Sequence, residues 1–420
     1  MAELTMFVYP WDVLDEEPES LVAELAGRGV RRIAVATAYH SAEVLRPRRR
    51  KRVNLLIEPN VVHTPINTGR FGLLTPRLGA LAGCDVFPRL AKAAAAAGIG
   101  LTGWTVVLHH SDLAQRHPDL AGRNCFGDNW AHGLCPSQPE VARYAVELCA
   151  ALGETGYFDT LMLESLAYPM AGHGHPHQLS AVRLDPVGRL LRSLCFCSAC
   201  LVEGERIGVD GTALADWVAE TLATSWNGPL AAARTADEGQ EVAAALVRRP
   251  DLYAWVRMRN TVVTGLFERI TTRLRPSGVA TVAAVAGFGQ PAPMTWQEGH
   301  DIEALSRVCD GLTLLAYAPD PAGVAREIDY VTGLVPAANV QVVQTFLPHQ
   351  TSTVDNLMSI VEHCADAGID RIGLYNWGLA PAGSLGWVNR VAALIASWPP
   401  TGDGPGTTVP AGRTNPREAI

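Results

Sequence analysis

No stretch of about 18 uncharged apolar residues occurs in the 420-residue chain, so a membrane-spanning helix is not expected. Positive charge is in deficit. The 34 Lys and Arg against 42 Asp and Glu leave a net charge of −8, which argues against a nucleic-acid-binding protein. No G-x-x-x-x-G-K-[ST] phosphate loop is present, and nothing in the sequence calls for an organic cofactor. The start, Met1 to Thr5, lacks a basic stretch followed by an apolar one. No signal peptide is expected there, and a cytoplasmic location is the expectation. The chain has no internal repeat. Nine cysteines in a reducing compartment would not form a disulfide framework.

What is present is a globular composition, 48% apolar and 18% charged. Eight short runs rich in Val, Ile, Leu and Thr read as strands, at 5–9, 32–37, 101–108, 160–164, 279–285, 311–317, 340–346 and 371–376. Helical stretches fit between them, at 18–29, 81–98, 139–153, 296–307, 322–334, 353–368 and 384–396. Ser137 and Glu140 read as a capping box for the third of these. Eight near-continuous apolar strands alternating with helices predict an α/β fold, a (β/α)8 TIM barrel.

The spacing is uneven. An extra hairpin or short strands are expected between strands two and three. A large, mostly helical insertion follows strand four, at about 201–275. Residues 1–398 thus read as one barrel domain, and the Pro/Gly-rich 399–420 as a disordered tail. The basic run from Arg46 to Arg52 reads as a solvated loop or as a contact for phosphate or carboxylate.

In such a barrel the active site lies at the C-terminal ends of the strands. Those ends carry Tyr9, Trp11 and Asp12; Tyr39 and His40; His109, His110 and Asp112, with Trp104 inside the third strand; Glu164 and Tyr168; Glu298; Tyr317 and Asp320; Gln344 and His349; and Tyr375, Asn376 and Trp377. His173, His175 and His177 alternate in a Gly/Pro-rich loop after strand four. They suit substrate contact, proton transfer or a transition metal. Aromatic rings, carboxylates, amides and histidines converging on one mouth suit a carbohydrate. The rings stack on its C–H faces, and the polar groups bind its hydroxyls.

Glu164 closes an apolar strand, where a charge is costly unless paired or solvated in a cleft. Glycoside hydrolysis needs two carboxyl groups, about 5–5.5 Å apart for retention or about 6.5–9.5 Å for inversion. Glu164 is the first candidate. Asp320 and Glu298 are candidates for the second. Asp320 also suits a plain turn, and Glu298 an ordinary first turn of a helix.

Cys195-x-Cys197-x-x-Cys200 places three thiols in six residues, a spacing that can fill three corners of a zinc tetrahedron, with the fourth ligand from elsewhere. Taken together, His117-Pro118-Asp119-Leu120, Leu134-Cys135-Pro136-Ser137-Gln138-Pro139, Glu164 at a strand end and this cysteine run resemble a pattern in barrel glycoside hydrolases. The pattern is similar to the family 42 β-galactosidases and to uncharacterised glycosidase-like barrels of the α-amylase type, over roughly residues 100–200. The resemblance implies a structural zinc on Cys135, Cys195, Cys197 and Cys200. The sequence also departs from those β-galactosidases. Leu163 stands where they have an Asn before the acid/base Glu, and their strand-seven nucleophile has no counterpart in 343–348. In amylase-like barrels the strand-four carboxylate is the nucleophile and the acid comes from a later loop, which suits Glu164 with Glu298 or Asp320.

The leading expectation is a glycosidase acting on a small carbohydrate or glycoside. Trp104, His109, His110, Tyr317, Asn376 and Trp377 would hold the sugar, with the 173–177 histidines over it. The alternatives are a metal-dependent sugar isomerase or epimerase using Glu164 and histidines, and a non-catalytic sugar-binding barrel. No membrane or nucleic-acid partner is expected, and self-association is left open.

Overall fold

The computed structural model describes residues 2–399, apart from 172–178, 181, 183, 228–237, 288–290 and 319. Eight parallel strands form its centre: β1 (Glu3–Val8), β2 (Arg32–Tyr39), β3 (Gly100–Val106), β4 (Thr160–Glu164), β5 (Ala280–Val285), β6 (Gly311–Leu315), β7 (Val340–Thr345) and β8 (Arg371–Tyr375). Each pairs with its sequence neighbour, and β8 returns to β1 in the register Glu3 to Arg371, so the sheet closes. The expected (β/α)8 barrel is the fold.

A barrel strand is buried on both faces, which is why these segments carry apolar residues almost without break. Two apolar clusters result. The inner one stacks Phe7, Ala34, Ala36, Trp104, Met162, Ala284, Leu315 and Val343 inside the barrel. Large rings sit beside small residues there, as a closed interior requires. Gly373 is one such small position: a Cβ on it would meet Val343 at 2.8 Å and Phe7 at 3.1 Å. The outer cluster fills the space between strands and helices.

The helices that follow the strands are α1 (Pro18–Gly27), α2 (Val86–Ala96), α3 (Pro139–Gly153), α4 (Pro250–Leu274), α5 (Ile302–Val308), α6 (Pro321–Thr332), α7 (Val354–Asp366) and α8 (Leu385–Ala396). The segment between β4 and β5 is helical, with Pro186–Arg192, Ser198–Arg206, Gly211–Asn227 and Glu238–Arg248 preceding α4. Helix α4 packs on α3 and α5, so it serves as the barrel's own fourth helix. Residues 400–420, most of the expected tail, lie outside the described residues. Among the described residues no helix is long and apolar enough to cross a membrane.

Three local expectations are corrected. The capping box at Ser137 and Glu140 does not form. Pro139 fixes the first helical residue, so Gln138 is the N-cap, without a side-chain cap bond, and Ser137 lies one residue too early. The helix expected at 81–98 is a 3₁₀ turn, Ala80–Gly83, followed by α2. The helix expected at 296–307 is likewise divided. The 3₁₀ turn Ala292–Gln297 ends before Gly299 (φ +101°), and Asp301 then caps α5 by accepting from Ala304 N at 3.0 Å. Glu298 therefore sits in a sharp corner and not in a helix.

The hairpin expected after β2 is present, as Glu43–Leu45 antiparallel to Asn54–Leu56. Its loop holds the basic run, which meets the protein's own carboxylates. Arg46 is buried and pairs with Asp15, and with Asp12 at 3.5 Å. Arg49 pairs with Glu16 at 2.6 Å, and Arg48 lies 4.5 Å over the Trp377 ring.

Candidate active site

A cavity of about 310 Å³ opens at the C-terminal mouth of the barrel. Side chains alternate along a strand, so Met162 and Glu164 both face inward from β4. Glu164 closes that strand and lines the cavity. From β3, the Trp104 indole N–H donates to Glu164 Oε2 at 2.5 Å. The strand apolar enough to fill the barrel thus delivers one carboxylate to its rim, already holding a neutral donor.

Phenols surround this pair. Tyr9 Oη lies 2.7 Å from Tyr375 Oη and 3.2 Å from Tyr39 Oη. Tyr39, Tyr317 and Tyr375 line the cavity. Burial raises the pKa of all three, and the charge of Glu164 raises it further. At neutral pH these phenols are protonated and can donate. Trp104 packs at right angles to Tyr39 (5.0 Å) and Tyr375 (5.8 Å), an edge-to-face arrangement that fixes its indole.

One side wall is made of imidazoles. His40 stacks on Tyr39 at 4.3 Å and on His109 at 4.8 Å, and His132 follows edge-on at 5.9 Å. All three line the cavity, and burial lowers the pKa of His40. The lining also contains Tyr168, Glu298 and His300. Burial pushes the Glu298 carboxyl up to about 7, and the guanidinium of Arg259 pulls the other way. Burial likewise pushes His300 down to about 4. Its Nε2 faces Leu166 O at 3.3 Å, while Nδ1 has no hydrogen-bond partner among the described residues. The contact with Leu166 O places the proton on Nε2, so the imidazole is neutral and its Nδ1 is a buried, bare nitrogen.

Of the residues picked out in the sequence, Glu164, Glu298, Trp104, His109 and Tyr317 come together here. Four others do not line this cavity. Asp320 is exposed and caps α6, accepting from Gly323 N at 2.8 Å. His110 caps a short helix, its Nδ1 accepting from Leu113 N at 3.1 Å. Asn376 is buried and accepts from Gly378 N at 2.9 Å. Trp377 is buried under Arg48 and donates to Glu16 at 3.0 Å. His173, His175 and His177 lie outside the described residues.

His132 and His300 were missed. His132 comes from the hairpin strand Asn129–Leu134, inside the loop after β3, where no strand-end rule points. His300 follows the Gly299 corner. Its signal, a Gly between two polar residues in what looked like a helix, was there to be read.

Behind Tyr168 lie Cys135, Cys195, Cys197 and Cys200. All are buried and none is in a disulfide. Their sulfurs lie within 4.8 Å of one another, and from Cys135 the distances are 3.7 Å to Cys195 and 3.5 Å to Cys197 and to Cys200. A tetrahedral ion with bonds of about 2.3 Å needs edges of about 3.8 Å. Two N–H groups also point at sulfur: Arg123 N to Cys195 at 3.3 Å and Gln138 Nε2 to Cys197 at 3.6 Å. The donor set, spacing and surrounding donors fit a metal ion.

Fold and site together define a (β/α)8 barrel whose C-terminal mouth holds a cavity lined by aromatic rings, imidazoles and two carboxyl groups. No family model matches the sequence, and no curated protein matches it. Among solved structures, the chain is similar to the β-galactosidase of the psychrophilic Marinomonas ef1, with TM-score 0.55 and 12% identity over 94% of this chain and 59% of that one. It is also similar to the α-L-fucosidase isoenzyme 2 of Paenibacillus thiaminolyticus, with TM-score 0.55 and 11% identity over 94% of this chain and 49% of that one. This chain thus spans about half to three-fifths of their length, and the likeness is one of fold.

Proposed function

We propose that the protein is a glycosidase-like enzyme acting on a small carbohydrate or glycoside, with Glu164 and Glu298 as its pair of carboxyl groups. The observation that carries this is the difference between them within one cavity. Glu164 accepts a hydrogen bond from Trp104, whereas burial pushes Glu298 up to about 7. A carboxyl group pushed up by burial suits the acid, and one that closes a strand on a hydrogen-bond donor suits the base or nucleophile.

In this reading Glu298, whose raised pKa keeps a protonated fraction near neutrality, gives its proton to the departing oxygen of the glycosidic bond. Glu164 stabilises or attacks the anomeric carbon, steadied by the Trp104 N–H. Tyr39, Tyr317 and Tyr375 donate to sugar hydroxyls, and His40 and His109 line the cavity beside them. Asp320 is the weaker partner for Glu164, since its carboxylate is already engaged at the start of α6.

The four cysteines are read as a structural zinc centre, with Cys135, Cys195, Cys197 and Cys200 as ligands. When bound, zinc supplies a cross-link between the 129–134 hairpin and the 186–206 helices and no chemistry at the cavity.

The test is turnover of a panel of 4-nitrophenyl glycosides by Glu164→Gln and Glu298→Gln. Glu164→Gln should abolish turnover in a folded protein. Glu298→Gln should lose most on glycosides with poor leaving groups, which need the acid. Unchanged turnover in Glu164→Gln would remove the reading.

A further inference from the structure

Arg259 is 0% exposed, in the middle of the 25-residue helix α4. Its guanidinium lies 4.4 Å from the centre of the Tyr168 ring, and Nη2 donates to Ser193 O at 3.4 Å. Nε and Nη1 have no hydrogen-bond partner among the described residues. A buried cation with two orphaned N–H groups is costly unless negative charge lies nearby. The groups it touches lead to the cysteines: Ser193 lies two residues before Cys195, and Tyr168 Oη meets Ser137 Oγ, itself 3.4 Å from Cys200 Sγ. Among the described residues its direct partners are a ring and a carbonyl, neither of which carries charge. Four thiolates around a divalent ion carry +2 − 4 = −2, which is the charge the guanidinium lacks.

The same elements form a contiguous contact path to the cavity. Cys200 Sγ lies 3.4 Å from Ser137 Oγ, and that hydroxyl is 2.6 Å from Tyr168 Oη. Tyr168 N donates to Glu298 O at 2.8 Å. Gly299 leaves no room for a Cβ, which would fall 2.7 Å from Val263 and 3.2 Å from Tyr168. The corner carrying Glu298 and His300 therefore rests directly on α4 and Tyr168. On the far side, Ser193 leads two residues later into Cys195.

We propose that Arg259 is the buried counter-charge of the four-cysteine metal centre and the positioning residue that couples loading of that centre to the Glu298 corner of the cavity. Metal removal strips the negative charge from one side of Arg259. The guanidinium then loses its counterion, and Tyr168 and the 298–300 corner lose the wall they pack against. Cavity geometry thereby becomes conditional on the ion, although the ion never touches substrate.

The proposal rests on reading the cluster as a zinc centre, and the experiment separates the two. Reduced, metal-free protein is titrated with zinc against a chromophoric chelator, for wild type, Arg259→Met, Arg259→Lys and Arg259→Gln. Wild type should bind one ion. The Met and Gln variants should bind it roughly 10–100-fold more weakly, the usual range for a lost outer partner, while Lys, which keeps the charge, recovers most of the affinity. Hydrogen exchange of 292–300 is the second readout. Stripping zinc from wild type should speed exchange there, and Arg259→Met should show the same increase with zinc in excess. If wild type takes up no zinc, the metal centre and the proposal both fall. If wild type takes up one zinc and the Met, Gln and Lys variants match its affinity, the role of Arg259 alone falls. Should the Met variant fail to fold, Lys against Gln gives the same comparison.

Discussion

At the N-terminal end of the barrel, Arg32 pairs with Glu3 at 3.0 Å and with Asp159, whose other oxygen accepts from Leu101 N at 3.1 Å. At the C-terminal end, Glu164 and Glu298 stand among phenols, indole and imidazoles, and the described lining of their cavity includes no lysine or arginine. The same fold thus meets charge in two ways. At the base, opposite charges neutralise one another and hold strands in register. At the mouth, the two carboxyl groups share a cavity with phenols, an indole and imidazoles, and the Trp104 indole donates to Glu164. Paired charge at the base serves stability, whereas a carboxyl pushed up by burial beside a cavity is the mark of a candidate site.

The largest expected effect sharpens this contrast. Glu164→Gln should reduce turnover by at least 10²–10⁴-fold, roughly the range for a positioned acid–base group, with little loss of stability. Arg32→Met should do the reverse. Turnover survives, and stability falls by about 1–3 kcal/mol because Glu3 and Asp159 lose a shared partner. Urea unfolding and initial rates on both variants check the pair. A barrel in which both substitutions cost only stability would break the comparison.

Cys197→Ser comes next. Metal content, measured by mass spectrometry, should fall from one zinc per chain to none, with a loss on the order of 3 kcal/mol or more. One zinc persisting in this variant would move the ion away from the cysteines and weaken the division between a structural centre and a metal-free mouth.

A smaller effect concerns pH. Glu298 has a folded-state pKa raised from 4.5 to about 7, so the folded chain binds the proton more tightly than the unfolded one. Stability from this group is therefore intact below about 4.5 and falls as pH rises to about 7, by an amount on the order of 3 kcal/mol. Asp12, raised from 3.8 to about 7, acts with the same sign. Glu298→Gln should reduce the slope of stability against pH without abolishing it, and should stabilise the protein at pH 8. In wild type, turnover should decline above about pH 7 as the acid form is lost. A slope unchanged in Glu298→Gln would show that the corner is open to water and not a desolvated wall.

These contrasts also explain what was legible in the sequence. Strand runs such as 160–164 were readable because a strand buried on both faces must be apolar throughout, and a lone Glu at its end then stands out. Cys135 joined the C-x-C-x-x-C only through the resemblance, since 60 residues separate it from Cys195 and no periodicity spans that gap. The mouth was harder. Trp377 looked like a sugar platform, but its place after β8 is taken up by Arg48, from a loop more than 300 residues away in the chain. The arginine run itself looked solvated because its carboxylates lie in the Pro10–Glu16 helix, and sequence order hides that proximity. His132 entered from a hairpin outside the barrel. Strand ends were legible, and the loops that fold back over them were not.

The smallest effect decides the identity of the second carboxyl group. Asp320 and Glu298 were equal candidates in the sequence, yet their surroundings differ. Asp320 is exposed at the start of α6 and spends its oxygen on Gly323 N, whereas Glu298 is recessed in the cavity wall. A cap contributes through the helix, about 1 kcal/mol on replacement by Ala, and nothing through the substrate. Asp320→Ala should therefore lower the unfolding free energy by about that amount and leave kcat within about two-fold of wild type, an effect well under 1 kcal/mol on the barrier. Asp320→Asn, which can still cap, should be nearly silent in both measurements. If Asp320→Asn instead abolished turnover while keeping the helix, the charge of Asp320 would be the reacting group. The acid would then come from the loop after β6, and Glu298 would become a buried carboxyl whose raised pKa serves only the packing of its corner.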